Sequence, residues 1–424
     1  MTPLVQLAAR SAWSRRSTLG LVMLSIALST LLLLGFERLR ADVRENFSQS
    51  VSGTDLIVGA RTGAVQLLLY AVFRVGGATN NIRMTSIDEI ARHRSVDWVV
   101  PLSLGDSHHG YPVLATSNGY FEHFRYGDKE SLAFAAGRAW RPMPEGLYEA
   151  VLGADVADAL GYRPGQHIVL SHGSGTIPGA EHADKPFTVV GVLARTGTPV
   201  DRTVHICLEA MTAIHLDWIG GAPLPGLHVT PEEALHHDLR PKEVTAALVG
   251  LKNRAAVFTV QRFVNDYAGE PLMAVLPGVA LDDLWDVVGV GEKALLAMSA
   301  MVAVVSLAGL VAVVLAGLNE RRRELAVLRA VGASPRDMLM ILATEGAVVT
   351  LAGALLGTAT AAVALVALAP WLKSRFGIVL TAAAPSAAQW GFVAAVVCAG
   401  TIASLVPGWR AYRLSLADGL SPRS

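Results

Sequence analysis

Charge is what this sequence has least of. Asp, Glu, Lys and Arg make up 17% of its 424 residues, where a soluble domain carries about 25%. Hydrophobic residues make up 52%, and that balance excludes an ordinary soluble chain and points to a membrane protein. The formal net charge is zero, so the electrostatic footprint of a nucleic-acid binder is missing. There are only two cysteines, Cys207 in the polar middle and Cys398 in a late apolar stretch, which leaves neither a disulfide framework nor a C-x-x-C metal site. No G-x-x-x-x-G-K-[ST] phosphate loop occurs, so ATP hydrolysis by that route would have to come from another subunit. H-E-x-x-H is also absent.

Against these absences stand four long apolar stretches. A bilayer core about 30 Å thick takes roughly 20 helical residues, and residues 18–36, 294–318, 338–369 and 389–409 meet that length. The first follows Arg10, Arg15 and Arg16 and ends in LLLLGFERLR. Its length and the lack of a small-residue cleavage site read as a span and not as a signal peptide. The third is longer than one crossing and has to tilt, break or continue beyond the membrane.

Basic residues orient the spans. Segments 1–17, 319–337 (Arg321, Arg322, Arg323, Arg329, Arg336) and 410–424 (Arg410, Arg413, Arg423) are rich in arginine and belong in the cytoplasm. Loop 370–388 holds only Lys373 and Arg375, and residues 37–293 form a long mixed-charge region, so both lie outside. The fold class that follows is a four-helix membrane protein with an α/β extracytoplasmic domain inserted between the first and second spans. In that domain, 150–153, 168–170, 187–193 and 203–206 read as strands, and Val156 to Leu160 as a short helix stopped by Gly161. Residues 37–51 and 281–293 have helical patterning and read as stalks that continue the first two spans. Residues 64–75 (AVQLLLYAVFRV) are too short to span. They read either as a core helix of the outer domain or as an amphipathic helix on the membrane surface.

The loop 319–337 is the most informative stretch. Glu324, Leu325, Leu328 and Arg329 share 3–4 spacing on one face, and Gly332 suits the stop. Ser334 then caps the next helix, with Pro335 at its first position and Asp337 in its first turn. A short amphipathic helix between two spans calls for a protein partner; the plainer alternative is a solvated loop serving topology alone.

The run E-L-A-V-L-R-A-V-G-A-S-P at residues 324–335 resembles the coupling motif of the FtsX/MacB/LolC-LolE permeases of ABC transporters. The tail V-P-G-W-R-A-Y-R-L at 406–414 is similar to that family's closing P-x-x-R-A pattern. Val151-Leu-Gly153, Gly161, Gly165, residues 187–193, Thr196-Gly-Thr198 and Asp201 resemble the MacB-like periplasmic core, from which residues 64–81 depart. The resemblance implies a homodimeric permease in the bacterial inner membrane, bound to cytoplasmic ATPase subunits that carry the ATP and magnesium. Glu324, Leu325, Leu328, Arg329, Gly332 and Ala333 would couple to that ATPase, for mechanotransmission that exports or extracts an envelope or hydrophobic substrate. No cofactor is expected in this chain, and membrane lipid and a periplasmic protein are further expected partners.

Two other readings come from the residues. An FtsX-like signalling protein that activates a periplasmic enzyme would use the same motif. All twelve histidines lie between His93 and His237. That clustering offers metal handling, with His108, His109, His236 and His237 as candidate loop ligands beside Asp106 and Asp238; solvated surface histidines are the plainer account. Glu345, near the start of the third span, is a candidate intramembrane functional residue or a side chain that reaches the cytoplasmic interface.

Overall fold

A computed structural model of the protein describes residues 16–77, 80–173, 181–219, 222–224, 226, 228–320, 330, 332–376 and 385–413. The chain forms two compact units. One comprises Met1–Asp42, Gly289–Leu372 and Leu380–Ser424, and the other Val43–Val288 with Lys373–Val379.

The second unit is the α/β domain, organised on an eleven-stranded mixed sheet. In chain order its strands are β1 (Leu56–Ala60), β2 (Val96–His108), β3 (Tyr111–Thr116), β4 (Phe134–Gly137), β5 (Glu149–Leu152), β6 (His167–Ile168), β7 (Ser171–His172), β8 (Phe187–Leu193), β9 (Val204–Cys207), β10 (Ala246–Leu251) and β11 (Leu272–Val275). The spatial order is β11-β1-β10-β2-β3-β9-β5-β8-β4, with β7 paired to β2 and β6 to β8. Burial alternates along β8, where Phe187, Val189 and Leu193 point into the core while Thr188, Val190 and Val192 are half-buried, the period of a strand with one fully covered face. β1 is buried on both faces. It is flanked by two antiparallel partners, with Ile57 opposite both Leu248 of β10 and Val275 of β11.

The helix Ala64–Ala71 buries Leu67, Leu68, Tyr70 and Ala71. All four belong to the main hydrophobic core of the domain, so the core-helix reading holds and the membrane-surface reading does not. The helix Ala154–Leu160 stops at Gly161, whose φ of 72° is left-handed, a conformation glycine adopts without steric cost.

Among the described residues, four helices are long and apolar enough to cross a membrane: Leu19–Asp42, Pro277–Ala312, Leu339–Leu372 and Ala387–Leu405. The helices that contain them are α1 (Arg16–Gln49), α2 (Pro277–Glu320), α3 (Pro335–Phe376) and α4 (Ala387–Arg413). The third stretch does not break: α3 is a single helix of 42 residues with Pro370 inside it.

Small and hydroxylated residues set the packing of these helices. Ser306 Oγ on α2 lies 2.8 Å from both Ser25 Oγ and Ser29 Oγ on α1. Gly353 and Gly357 of α3 face α1: a Cβ at Gly357 would stand 2.5 Å from the Ala27 carbonyl oxygen and 2.7 Å from Thr30 Cβ. Between α3 and α4 the contacts are reciprocal, Gly346 against Ser404 and Gly400 against Thr350. In lipid, where apolar burial gives little net drive between helices, such close backbone approach supplies the association.

Gly357→Leu should therefore force α1 and α3 apart and destabilise the protein by about 1–3 kcal/mol, the usual cost of overpacking. It would be read as a lower Tm in detergent. Gly309→Leu, where a Cβ meets nothing within 4 Å, should leave Tm unchanged.

Candidate functional site

Strand pairing in the α/β domain brings together polar residues that are far apart in sequence. β7 runs antiparallel to β2 with His172 opposite Asp106. Ser171 also bridges to Glu181, and the His182 amide donates to the Leu170 carbonyl at 2.8 Å, which sets His182 beside the same pair. His215 follows directly on the helix Leu208–Ile214. Asp106, His172, His182 and His215 each offer a ligand atom, and these atoms lie within 4.8 Å of one another.

The individual distances are short. His172 Nδ1 is 3.0 Å from His215 Nε2 and 3.2 Å from Asp106 Oδ1. His215 Nε2 is 3.6 Å from Asp106 Oδ1, and His182 Nε2 is 3.6 Å from Asp106 Oδ2. The side chains of Asp106 and His182 are fully buried, whereas His172 and His215 are 34% and 25% exposed. The Trp218 ring packs over the group, 4.3 Å from the His182 ring centroid and 5.5 Å from that of His172.

Among the described residues, both carboxylate oxygens of Asp106 and both ring nitrogens of His182 lack a hydrogen-bond partner. The contacts of 3.6 Å are beyond hydrogen-bond range, and the 3.2 Å contact from His172 lacks the alignment of one. His215 Nδ1 is held at 2.8 Å by the Met211 carbonyl. In the neutral ring that bond places the proton on Nδ1 and leaves the Nε2 lone pair to accept from His172 Nδ1 at 3.0 Å. Burial pushes the His182 pKa down to about 4, so this ring is neutral at pH 7. For His215 burial also acts downward, but the adjacent Asp106 carboxylate outweighs it and the pKa is raised.

A second group of ligand type, Asp184, Asp217 and His228, already contains a cation. Lys185 Nζ, fully buried, donates to Asp184 at 2.8 Å and to both oxygens of Asp217 at 2.9 and 3.0 Å. The residues suggested by sequence pairing sit elsewhere. His108 is buried with both ring nitrogens engaged, Nδ1 by the Val169 carbonyl at 2.7 Å and Nε2 by the Tyr162 hydroxyl at 3.1 Å. His109 is an exposed turn residue with φ of 48°, and His236 and His237 are exposed beyond the helix Pro231–Ala234. Asp106 is the one residue named from sequence that falls in the cluster; the three histidines have no local spacing signal.

Residues 18–234 match the MacB-like periplasmic core domain family, and residues 296–416 match the FtsX-like permease C-terminal family. The chain belongs to the MacB/FtsX-like permease family. Among solved structures, it is similar to the periplasmic region of MacB from Actinobacillus actinomycetemcomitans, at 10% identity and a TM-score of 0.34 over 55% of this chain and 94% of that one. It is also similar to the extracellular domain of the noncanonic ABC-type transporter YknZ from Gram-positive bacteria, at 13% identity and a TM-score of 0.32 over 52% and 99%. No curated protein matches.

In this permease Glu324, Leu325, Leu328 and Arg329, which the sequence resemblance marks as expected coupling residues, lie outside the described residues. Just after them, Gly332 has a left-handed φ of 103° and leads through Ala333 to a capped helix start. There the Ser334 amide and hydroxyl each lie 2.8 Å from Asp337 Oδ2, and the Asp337 amide donates to Ser334 Oγ at 3.3 Å, a reciprocal cap that fixes where α3 begins. Glu345 lies half-buried on α3.

Lys185→Ala should leave Asp217 buried without its counter-charge and cost about 3–5 kcal/mol. Thermal or denaturant unfolding of the full chain would show the loss.

Proposed function

We propose that this chain is the membrane subunit of a bacterial inner-membrane ABC transporter. As a homodimer it would convert ATP hydrolysis by a separate cytoplasmic ATPase into movement of its outer domain. The work done there is export or extraction of an envelope or hydrophobic substrate, passed by force through helices and not through a central channel. Residues 324–333 are the segment that the ATPase grips, and the ATP and magnesium belong to that partner.

One observation carries this reading. α1 and α2 are each uninterrupted well beyond their apolar spans, α1 ending at Gln49 with six residues between it and β1, and α2 starting at Pro277 with one residue between it and β11. The strands β1 and β11 that follow and precede them are antiparallel neighbours, with Ala60 opposite Leu272. The two helices also meet along their length, through Arg40 Nη1 and Glu292 at 3.3 Å and through Arg44 stacked 5.8 Å from the Trp285 ring centroid. A helix is stiff along its axis, and a paired set transmits displacement better than flexible linkers of the same length.

The reading predicts copurification with an ATPase co-expressed from the same organism. Deleting residues 324–329 should reduce that association by at least about tenfold, as loss of a central interface segment does. Unchanged association and unchanged ATPase stimulation in the deletion variant would refute it.

A further inference from the structure

We propose that Asp106, His172, His182 and His215 form a binding site for a divalent transition cation of the zinc type in the outer domain. The geometry comes first. Four donors around a tetrahedral ion with bonds of about 2.0–2.1 Å are separated by roughly 3.3–3.4 Å; here Asp106 Oδ1, His172 Nδ1 and His215 Nε2 stand 3.0, 3.2 and 3.6 Å from one another, and His182 Nε2 is 3.6 Å from the other Asp106 oxygen, Oδ2. The spacing is that of ligands around a small ion. Of the four contacts only the 3.0 Å one, between His172 Nδ1 and His215 Nε2, is itself a hydrogen bond.

The unserved polar atoms point the same way. Among the described residues, Asp106 is a fully buried carboxylate with no aligned donor, and His182 is a fully buried imidazole with no partner on either nitrogen. Buried polar groups in folded proteins nearly always have a partner. A proton on one histidine would offset the charge of Asp106 but would still leave His182 unserved. A dication placed among the four atoms serves the carboxylate and three ring nitrogens together.

The donor set selects the ion. Three imidazoles and one carboxylate suit zinc and its neighbours in the transition series, whereas calcium and magnesium take mainly oxygen ligands. The Met211 carbonyl on His215 Nδ1 at 2.8 Å is the outer partner that metal-bound histidines commonly have, fixing the ring and its tautomer. Partial exposure of His172 and His215 leaves a route in from solvent. With four protein ligands the coordination is closed, so the ion would act as a fastener and not as a hydrolytic centre. It would tie β7, the strand segment at His182 and the end of the helix Leu208–Ile214 to β2. This inference does not depend on the ATPase partnership, and its test reads neither transport nor ATPase activity.

The experiment uses the full-length protein in detergent, stripped with a chelator and titrated with cobalt(II), then with zinc. The expected result is one cobalt per chain with the intense visible absorption of tetrahedral coordination, displaced by zinc, and a Tm that rises with zinc. His172→Ala, the most exposed ligand, and His182→Ala should each weaken binding by more than about tenfold, at least as much as loss of an outer-shell partner does. The double variant His236→Ala/His237→Ala should bind as the parent does. A folded parent protein that gives no cobalt absorption overturns the proposal, even if a ligand variant fails to fold. Full-strength binding in His172→Ala, or loss of binding in the His236/His237 variant, overturns it equally.

Discussion

Hydrocarbon offers no partner to a backbone N–H or C=O, so the chain must satisfy these groups within itself wherever it crosses the bilayer. That single demand shapes most of what is described above. It makes each span helical, and nothing in it requires the helix to stop at the membrane surface. α1, α2 and α3 accordingly run to 34, 44 and 42 residues, well past the roughly 20 that a crossing takes. The same demand governs how the helices meet. Hydroxyl side chains inside the bundle return a bond to their own helix, as Thr350 does to the Gly346 carbonyl at 2.7 Å, and glycines let neighbouring backbones close the remaining gap.

Outside the bilayer a different rule takes over. The α/β domain is held by a mixed sheet whose strands come from nearly its whole length, so its polar residues are positioned by pairing and not by proximity in sequence. The Asp106 group arises in this way. β2 supplies the carboxylate, a short strand laid against it supplies His172, the bridge at Ser171 and Glu181 sets His182, and a helix end supplies His215. Lys185 and Asp217, close by in sequence, show the contrasting solution, a buried ion pair whose positive charge is built into the chain.

The spans were legible because their signal is additive: twenty apolar residues in a row read the same whatever the rest of the fold does. The strand over residues 187–193 was legible for a related reason, since a short run rich in β-branched and apolar residues favours an extended conformation whatever its neighbours are, and it coincides with β8. The segment Ala64–Ala71 was ambiguous in sequence because an apolar octet looks alike against a core or a lipid surface; its tertiary neighbours decide. The Asp106 cluster was the least legible. Adjacent histidines attract attention, yet the His108 and His109 rings pack edge to face, 4.5 Å between centroids, and both His108 nitrogens are already taken by Val169 and Tyr162. The register that sets His172 opposite Asp106 depends on a pairing between segments more than sixty residues apart, for which local spacing holds no trace.

Under the proposed coupling, the neighbouring positions of β1 and β11 would bear on how load enters the outer domain. These antiparallel strands lie side by side, and their outer ends, near Leu56 and Val275, face the same way. If the two helices shift together, the strands travel as one handle and their shared hydrogen bonds carry no relative displacement. If one helix were to advance while the other stayed, the difference would fall on that ladder as shear, shared by all of its hydrogen bonds at once. A common push would leave the ladder unloaded and a differential one would test it, a distinction set by where two strands sit in a sheet.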